Sequence, residues 1–375
     1  VERHPAEQHP VEEGRFGSTR RNWLLSTAAM AYLANRLSAQ EPAAPEKAPA
    51  EAKPAGTAEM TREAERAVRR GEEWLLKTMT NQGGCGVDIG QQPDIGCTSM
   101  VGLAFLAQGN TAVEGQRSRE IRRIANYLLQ RVESMPQDDI TSEMGTQLQN
   151  KIGRHAHSFF ASLFLSELLG EGSDPEPIRV ALKKVVAAIV GSQTADGNWG
   201  NQSWAPMLGT VMGWVALRAA SNAGMTVGNS PETTAKYLVQ QMSTTLAHES
   251  GSWMHTLYKN ATGIRVLFAL GKDEEPIAKK AFSDVVAFIT RDNTAFSQAG
   301  GEEYLAFHLI TETMLQKGGE DWLKWYPKVR DRILAVQNND GSWTGHHCIT
   351  SRTFCTAAAI LVLTSPNRYL PISQA

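Results

Sequence analysis

Gln193-Thr194-Ala195-Asp196-Gly197-Asn198-Trp199 returns further along the chain as Gln337-Asn338-Asn339-Asp340-Gly341-Ser342-Trp343. A shortened copy, Glu249-Ser250-Gly251-Ser252-Trp253, lies between them, and a degenerate one, Gln82-Gly83-Gly84-Cys85-Gly86, comes earlier. A turn that recurs in this way marks a repeat architecture before any single residue is interpreted. Asp-Gly supplies a tight reversal whose backbone conformation glycine adopts without strain. The Trp that follows is large enough to wedge between neighbouring repeats, and its indole N–H needs a carbonyl.

Outward from these turns the pattern is helix, glycine-containing turn, helix, with few strand signals. The first helix of each unit is amphipathic. Over 64–79, Ala64, Ala67, Val68, Gly71, Trp74, Leu75 and Thr78 share one face at helical spacing. The second helix is nearly apolar all round and rich in small residues, over 97–107, 157–169, 209–220, 261–270, 303–315 and 354–363. A helix apolar on every side has to be buried on every side. The exposed partners centre near Trp74, Tyr127, Val186, Leu238, Val286 and Val329, about fifty residues apart. Six such pairs predict an all-α fold: a single (α/α)6 toroid of inner and outer helix rings over 61–371. In an open solenoid both helices of each unit would keep an exposed side.

The 375 residues suffice for one large repeat domain. A formal charge of −2 gives no electrostatic footprint for nucleic acid and no polybasic membrane patch. Cys85, Cys97, Cys348 and Cys355 are too few and too scattered for a disulfide scaffold. Residues 1–39 read as an export signal. Thr19-Arg20-Arg21-Asn22-Trp23-Leu24-Leu25 is similar to a twin-arginine motif, and the apolar stretch that follows is too short to span a bilayer. A frayed amphipathic helix is the alternative. Residues 40–60, rich in Pro, Ala, Glu and Lys, read as a linker. The expected location is exported, periplasmic or extracellular, with no transmembrane segment and no identifiable partner subunit.

The repeated Gln…Gly-x-Trp turn on alternating helices resembles the prenyltransferase and squalene-cyclase repeat superfamily, and in particular its exported bacterial members. The likeness covers 61–371 and includes His157-Ser158-Phe159-Phe160-Ala161-Ser162-Leu163 and Gly213-Trp214-Val215-Ala216-Leu217. It implies a deep apolar cavity that opens where the inner helices begin, suited to an isoprenoid or another lipid-like small molecule. It does not imply a particular reaction. Class II cyclases of this superfamily use an Asp-x-Asp-Asp acid and two toroids. Gln137-Asp138-Asp139 lacks the first aspartate and the chain has room for one toroid, so squalene-type cyclisation is disfavoured.

The prenyltransferase branch holds zinc through Asp-x-Cys at the start of one inner helix and a His at the start of the next. The matching residues here are Asp94, Cys97 and His157, although the spacing is Asp-x-x-Cys and the site falls in early rather than late repeats. Carboxylate, thiolate and imidazole suit three tetrahedral zinc positions with a fourth left open. Ring closure would set Cys355 opposite Cys97, which adds a fourth candidate ligand. The structural alternatives are Asp94 as a helix cap and Cys97 as a small buried residue.

Other constellations carry weaker signals. His346-His347-Cys348 could ligate metal, but adjacent residues rarely converge on one ion, and a polar loop lining the mouth is the alternative. Glu302-Glu303, opening the fifth inner helix, could supply a general acid, although acidic residues there ordinarily offset the helix dipole. Gly84-Cys85-Gly86-Val87-Asp88 resembles the thioester of complement-type proteins but has Asp88 where the reactive glutamine belongs. Two readings follow. A metal-assisted transferase predicts a cavity lined by Phe159, Phe160, Trp214, Tyr258, Tyr304 and His308. A non-catalytic binding or scaffold toroid predicts a cavity filled by side chains.

Overall fold

The computed structural model describes residues 60–136, 145–169, 175–200, 203–243, 253–291 and 294–370. The signal and linker segments through residue 59, Gln137-Asp138-Asp139 and residues 249–252 of the shortened turn lie outside them. The described chain is mostly helical, and none of its helices is long and apolar enough to cross a membrane.

Helix α1, Arg62–Thr78, begins where the Thr61 hydroxyl accepts the Ala64 N–H. Glu63 and Glu65 in its first turn and Lys77 in its last suit the helix dipole. Its buried face carries all seven of the residues expected there. Two short antiparallel strands, β1 (Cys85–Gly86) and β2 (Pro93–Asp94), precede α2, Ile95–Leu106. Next come α3 (Ser118–Ser134), α4 (Gln147–Ile152), α5 (Ala156–Leu168) and α6 (Glu176–Gly191). Helices α7 (Pro206–Asn222), α8 (Ser230–Ser243), α9 (Trp253–Ala269) and α10 (Pro276–Arg291) follow. The chain continues through α11 (Thr294–Ser297), α12 (Gly301–Lys317), α13 (Gly319–Ala335) and α14 (Arg352–Thr364). Each of the twelve expected helices coincides with one of these. The strands, α4 and α11 are additions. Trp253 opens α9, so that helix starts earlier than expected.

Every residue of α2 and α5 is buried, as their uniform apolarity requires. Contacts among the buried helices run α2 to α5, α5 to α7, α7 to α9, α9 to α12, α12 to α14, and return from α14 to α2. Each amphipathic helix covers a buried one: α1 lies on α14, α3 on α2, α6 on α5, α8 on α7, α10 on α9 and α13 on α12.

The repeated turn joins these layers in one geometry. Trp199 and Trp343 each donate the indole N–H to a carbonyl ten residues back, Ile189 O and Ile333 O, at 2.8 Å. Gly197 (φ 94°) and Gly341 (φ 96°) press against the next amphipathic helix, where an added Cβ would lie 2.6 Å from Thr233 O or Arg70 O. The degenerate copy matches: Gly83 has φ 97° and abuts Arg123 O, and Cys85 stands where the Trp would be. Cys85 is therefore a packing residue. The last turn is held to the first helix by Arg70, which donates to Asn338 O (3.1 Å) and Asn339 O (2.6 Å).

Candidate metal centre

Among the described residues, the four expected ligands do not form a set whose ligand atoms all lie within 4.8 Å of one another. Asp94 caps α2, its Oδ1 accepting the Cys97 N–H at 2.7 Å. His157 Nε2 lies 3.8 Å from that oxygen and 3.2 Å from Thr146 Oγ1. The Cys97 thiol meets Ser351 Oγ at 3.5 Å, whereas the Cys355 thiol donates to Ile349 O at 3.7 Å. Burial, with the Asp94 charge second, pushes the Cys97 thiol well up. Burial also pushes Cys355 up, aided by Glu302 and Glu303. Burial lowers His157 against the pull of Asp94. The hydrogen bonds these groups make are those of helix capping and core packing.

Among the described residues, one set of three metal-capable side chains has ligand atoms all within 4.8 Å of one another: Glu302, His347 and Cys348. Glu302 sits in the first turn of α12, fully buried, and its Oε2 accepts the Ile349 N–H at 3.2 Å. The 344–351 loop is bound to the start of that helix by His346 N–H to Ala299 O (3.0 Å) and Gly301 N–H to Ile349 O (2.9 Å). Gly300 permits this approach, since a Cβ there would lie 2.6 Å from His347 O. Cys348 has φ 48°, a left-handed conformation unusual for a residue with a side chain. That turn explains why adjacent His347 and Cys348 converge, against the expectation for neighbours in sequence.

A fourth residue had no signal of its own in the sequence. Lys151, buried near the end of α4, places its Nζ 3.2 Å from Glu302 Oε1 and donates to Cys348 Sγ at 3.5 Å. The same Nζ lies 5.2 Å from the centre of the Tyr258 ring. Thr146 and Gln149 form a capping box that starts α4. That pattern is the one cue in the sequence that a helix, and so Lys151, belongs here. The ammonium thus touches two of the three ligand groups, Glu302 and Cys348.

Glu303 completes the corner. One oxygen accepts the Tyr258 hydroxyl; the other accepts the Gly300 N–H at 2.6 Å and lies 3.4 Å from His347 Nε2. His347 Nδ1 is 3.2 Å from Glu302 Oε1, so the imidazole lies close to both carboxylates. Burial, then the Glu302 charge, raises the Glu303 carboxyl to about 8. Burial and the same two carboxylates push the Tyr258 phenol well up. Desolvation, then Glu302, raises the Cys348 thiol, although Lys151 opposes the shift. A carboxylate, an imidazole and a thiol in this arrangement fit zinc, whose bonds of about 2.0–2.3 Å need only small side-chain movements from these positions. Lys151 has to leave for an ion to enter.

Among the described residues, a small void lies between the buried helices. Phe160 and His308 border this void of about 20 Å3, together with Met100, Met212, Leu305 and Leu361. That is roughly the room one water needs. The other expected lining residues do not face it. Phe159 packs edge-on against Trp199, Trp214 lies under the Arg218 guanidinium, and Tyr304 sits against Phe307. Tyr258 belongs to the polar corner. A larger hollow of about 260 Å3 opens at the other end of α12, floored by Phe268, Phe282 and Met314. The charges on its rim are paired to one another, Lys317 with Asp273 and Asp321 at 3.2 Å, and they bring no reactive group together. The chain matches no protein-family model and no curated protein.

Proposed function

We propose that the protein is an exported (α/α)6 toroid of the prenyltransferase and squalene-cyclase repeat type, with zinc held by Glu302, His347 and Cys348 where the buried helices begin. The closed order of helix contacts and the shared turn geometry support the toroid. The Arg20-Arg21 motif supports export. The zinc reading is carried by one observation, the convergence of three ligand atoms within 4.8 Å beside a partly exposed loop. Three protein ligands leave a fourth position open, where zinc lowers the pKa of a bound water or thiol and so activates a nucleophile.

The surrounding residues orient this set. Glu303, 3.4 Å from His347 Nε2, aligns the imidazole so that Nδ1 points at the ligand cluster, and Tyr258 holds Glu303 in place. Lys151 offsets the Glu302 charge while no ion is bound. The small size of the void between the buried helices favours a substrate that meets this corner from solvent over an isoprenoid enclosed within the ring. It also favours, as a second reading, a non-catalytic toroid in which Lys151 holds the cluster permanently as an ion-pair network. Metal analysis of the purified protein separates the two. Stoichiometric zinc that is lost in Cys348→Ser and in His347→Ala supports the first. Absence of zinc, or zinc that survives both substitutions, leaves the second.

A further inference from the structure

Cys348 is the exposed cysteine of the chain, whereas Cys85, Cys97 and Cys355 are buried. Its sulfur is the one an oxidant in solution reaches first. A nitrogen nucleophile is already in place, because Lys151 Nζ donates to that sulfur at 3.5 Å. In the metal-free protein Lys151 is buried, and its Nζ lies between Glu302 Oε1 at 3.2 Å and the Tyr258 ring. The Cys348 backbone is constrained by its left-handed conformation and by the Ile349 N–H bond to Glu302. A buried amine fixed against an accessible thiol, with a carboxylate on the amine's other side, has the parts needed for an oxidative cross-link.

We infer that Lys151 and Cys348 form a reversible sulfur–nitrogen cross-link when the protein meets hydrogen peroxide. In the first step the Cys348 sulfur takes one oxygen from the peroxide, giving a sulfenic acid and one water. In the second, Glu302 accepts a proton from the Lys151 ammonium, and the freed amine attacks sulfur. The N–S bond forms as the S–O bond breaks, and the departing hydroxide takes a second proton from nitrogen and leaves as water. Overall, one amine, one thiol and one peroxide give the sulfenamide and two waters. The peroxide is reduced by the two electrons that the thiol loses. A thiol reductant reverses the link by attacking sulfur and releasing the amine. The link ties α4 to the 344–351 loop and removes the thiolate from the ligand set. This last consequence rests on the zinc reading; the cross-link itself does not.

The test uses the full chain, stripped of metal, exposed to a small excess of hydrogen peroxide, digested and analysed by mass spectrometry. The expected product is a joined pair of peptides containing Lys151 and Cys348, lighter than their sum by two hydrogens, about 2 Da. Dithiothreitol should restore both parent peptides. Cys348 recovered as sulfinic or sulfonic acid beside an unmodified Lys151, or Cys348 left unoxidised, overturns the inference. Lys151→Arg is expected to drive Cys348 to the higher acids, but the wild-type result stands even if that variant does not fold. A parallel arm saturates the protein with zinc first. Slower linking with release of zinc supports both ideas; unchanged linking supports the cross-link and counts against zinc at Cys348.

Discussion

Lys151→Met should destabilise the metal-free protein and increase its response to zinc, because one substitution removes the cation that now contacts two of the ligand groups, Glu302 and Cys348. Lys151 Nζ and Glu302 Oε1 are 3.2 Å apart and both side chains are buried, so truncating the lysine leaves a buried carboxylate without its partner. Breaking such a pair costs about 3–5 kcal/mol. Glu302 keeps the Ile349 N–H at 3.2 Å and His347 at the same distance, which places the loss near the lower end. At about 2–4 °C per kcal/mol for a large domain, the melting temperature should fall by roughly 10 °C. Zinc at a hundredfold excess over its dissociation constant returns about 2.7 kcal/mol, most of that loss. Wild type gains less from the same zinc, because the ion must first displace the ammonium. Scanning calorimetry of both proteins, each with zinc and with chelator, reads the four values directly. An equal zinc gain in the two proteins would refute the idea that Lys151 occupies the place of the ion. No gain in either would remove the zinc site altogether.

The other expectations concern the turn and the buried acid. Trp343 is fully buried and Trp199 is not, so Trp343→Ala should cost about 3–5 kcal/mol and Trp199→Ala clearly less, measured by urea denaturation. Equal losses would show that the two indoles do not wedge by burial. Gly341→Ala imposes a left-handed conformation costing about 1–2 kcal/mol and drives a Cβ to 2.6 Å from Arg70 O. Hydrogen exchange should then quicken over α1, and unchanged protection there would argue against the closing contact. Burial and Glu302 raise the Glu303 carboxyl from its ordinary 4.5 to about 8, so the folded protein holds a proton that the unfolded chain gives up. The resulting stability is complete below about 4.5 and is lost as pH rises through about 8. Glu303→Gln, neutral throughout, should flatten melting temperature against pH over that window; an unchanged slope would sink the assignment.

What the sequence disclosed follows from the range of each signal. Helical periodicity is local and redundant. The face of α1 read from Ala64, Ala67, Val68, Gly71, Trp74, Leu75 and Thr78 is the face that is buried. Strands of two residues carry no periodicity, and α4, at six residues, carries little beyond its capping box. The Gln…Gly-x-Trp turn also served as a valid ruler. Thr98 and Thr356 hydroxyls receive equivalent N–H bonds from Cys85 (2.8 Å) and Trp343 (2.9 Å), so Cys97 and Cys355 do stand at one level.

Level is not direction, and that difference decides the chemistry. On helices buried all round, one register sets how deep a side chain sits but leaves open which neighbour it faces. Cys97 faces Ser351 and Cys355 faces Ile349 O, so shared depth did not make a ligand set. A loop works by different rules. Between Trp343 and α14 the chain turns through a left-handed Cys348, and neighbours that would diverge on a helix or strand point into one corner. The helix start supplies the fixed side of that corner, with Glu302 and Glu303 anchored by backbone N–H groups. Lys151 arrives from a segment with no sequence relation to either. Reactive groups in a repeat fold of this kind are therefore best sought where an irregular loop meets the start of a buried helix, since there one backbone distortion can aim several side chains at a single point.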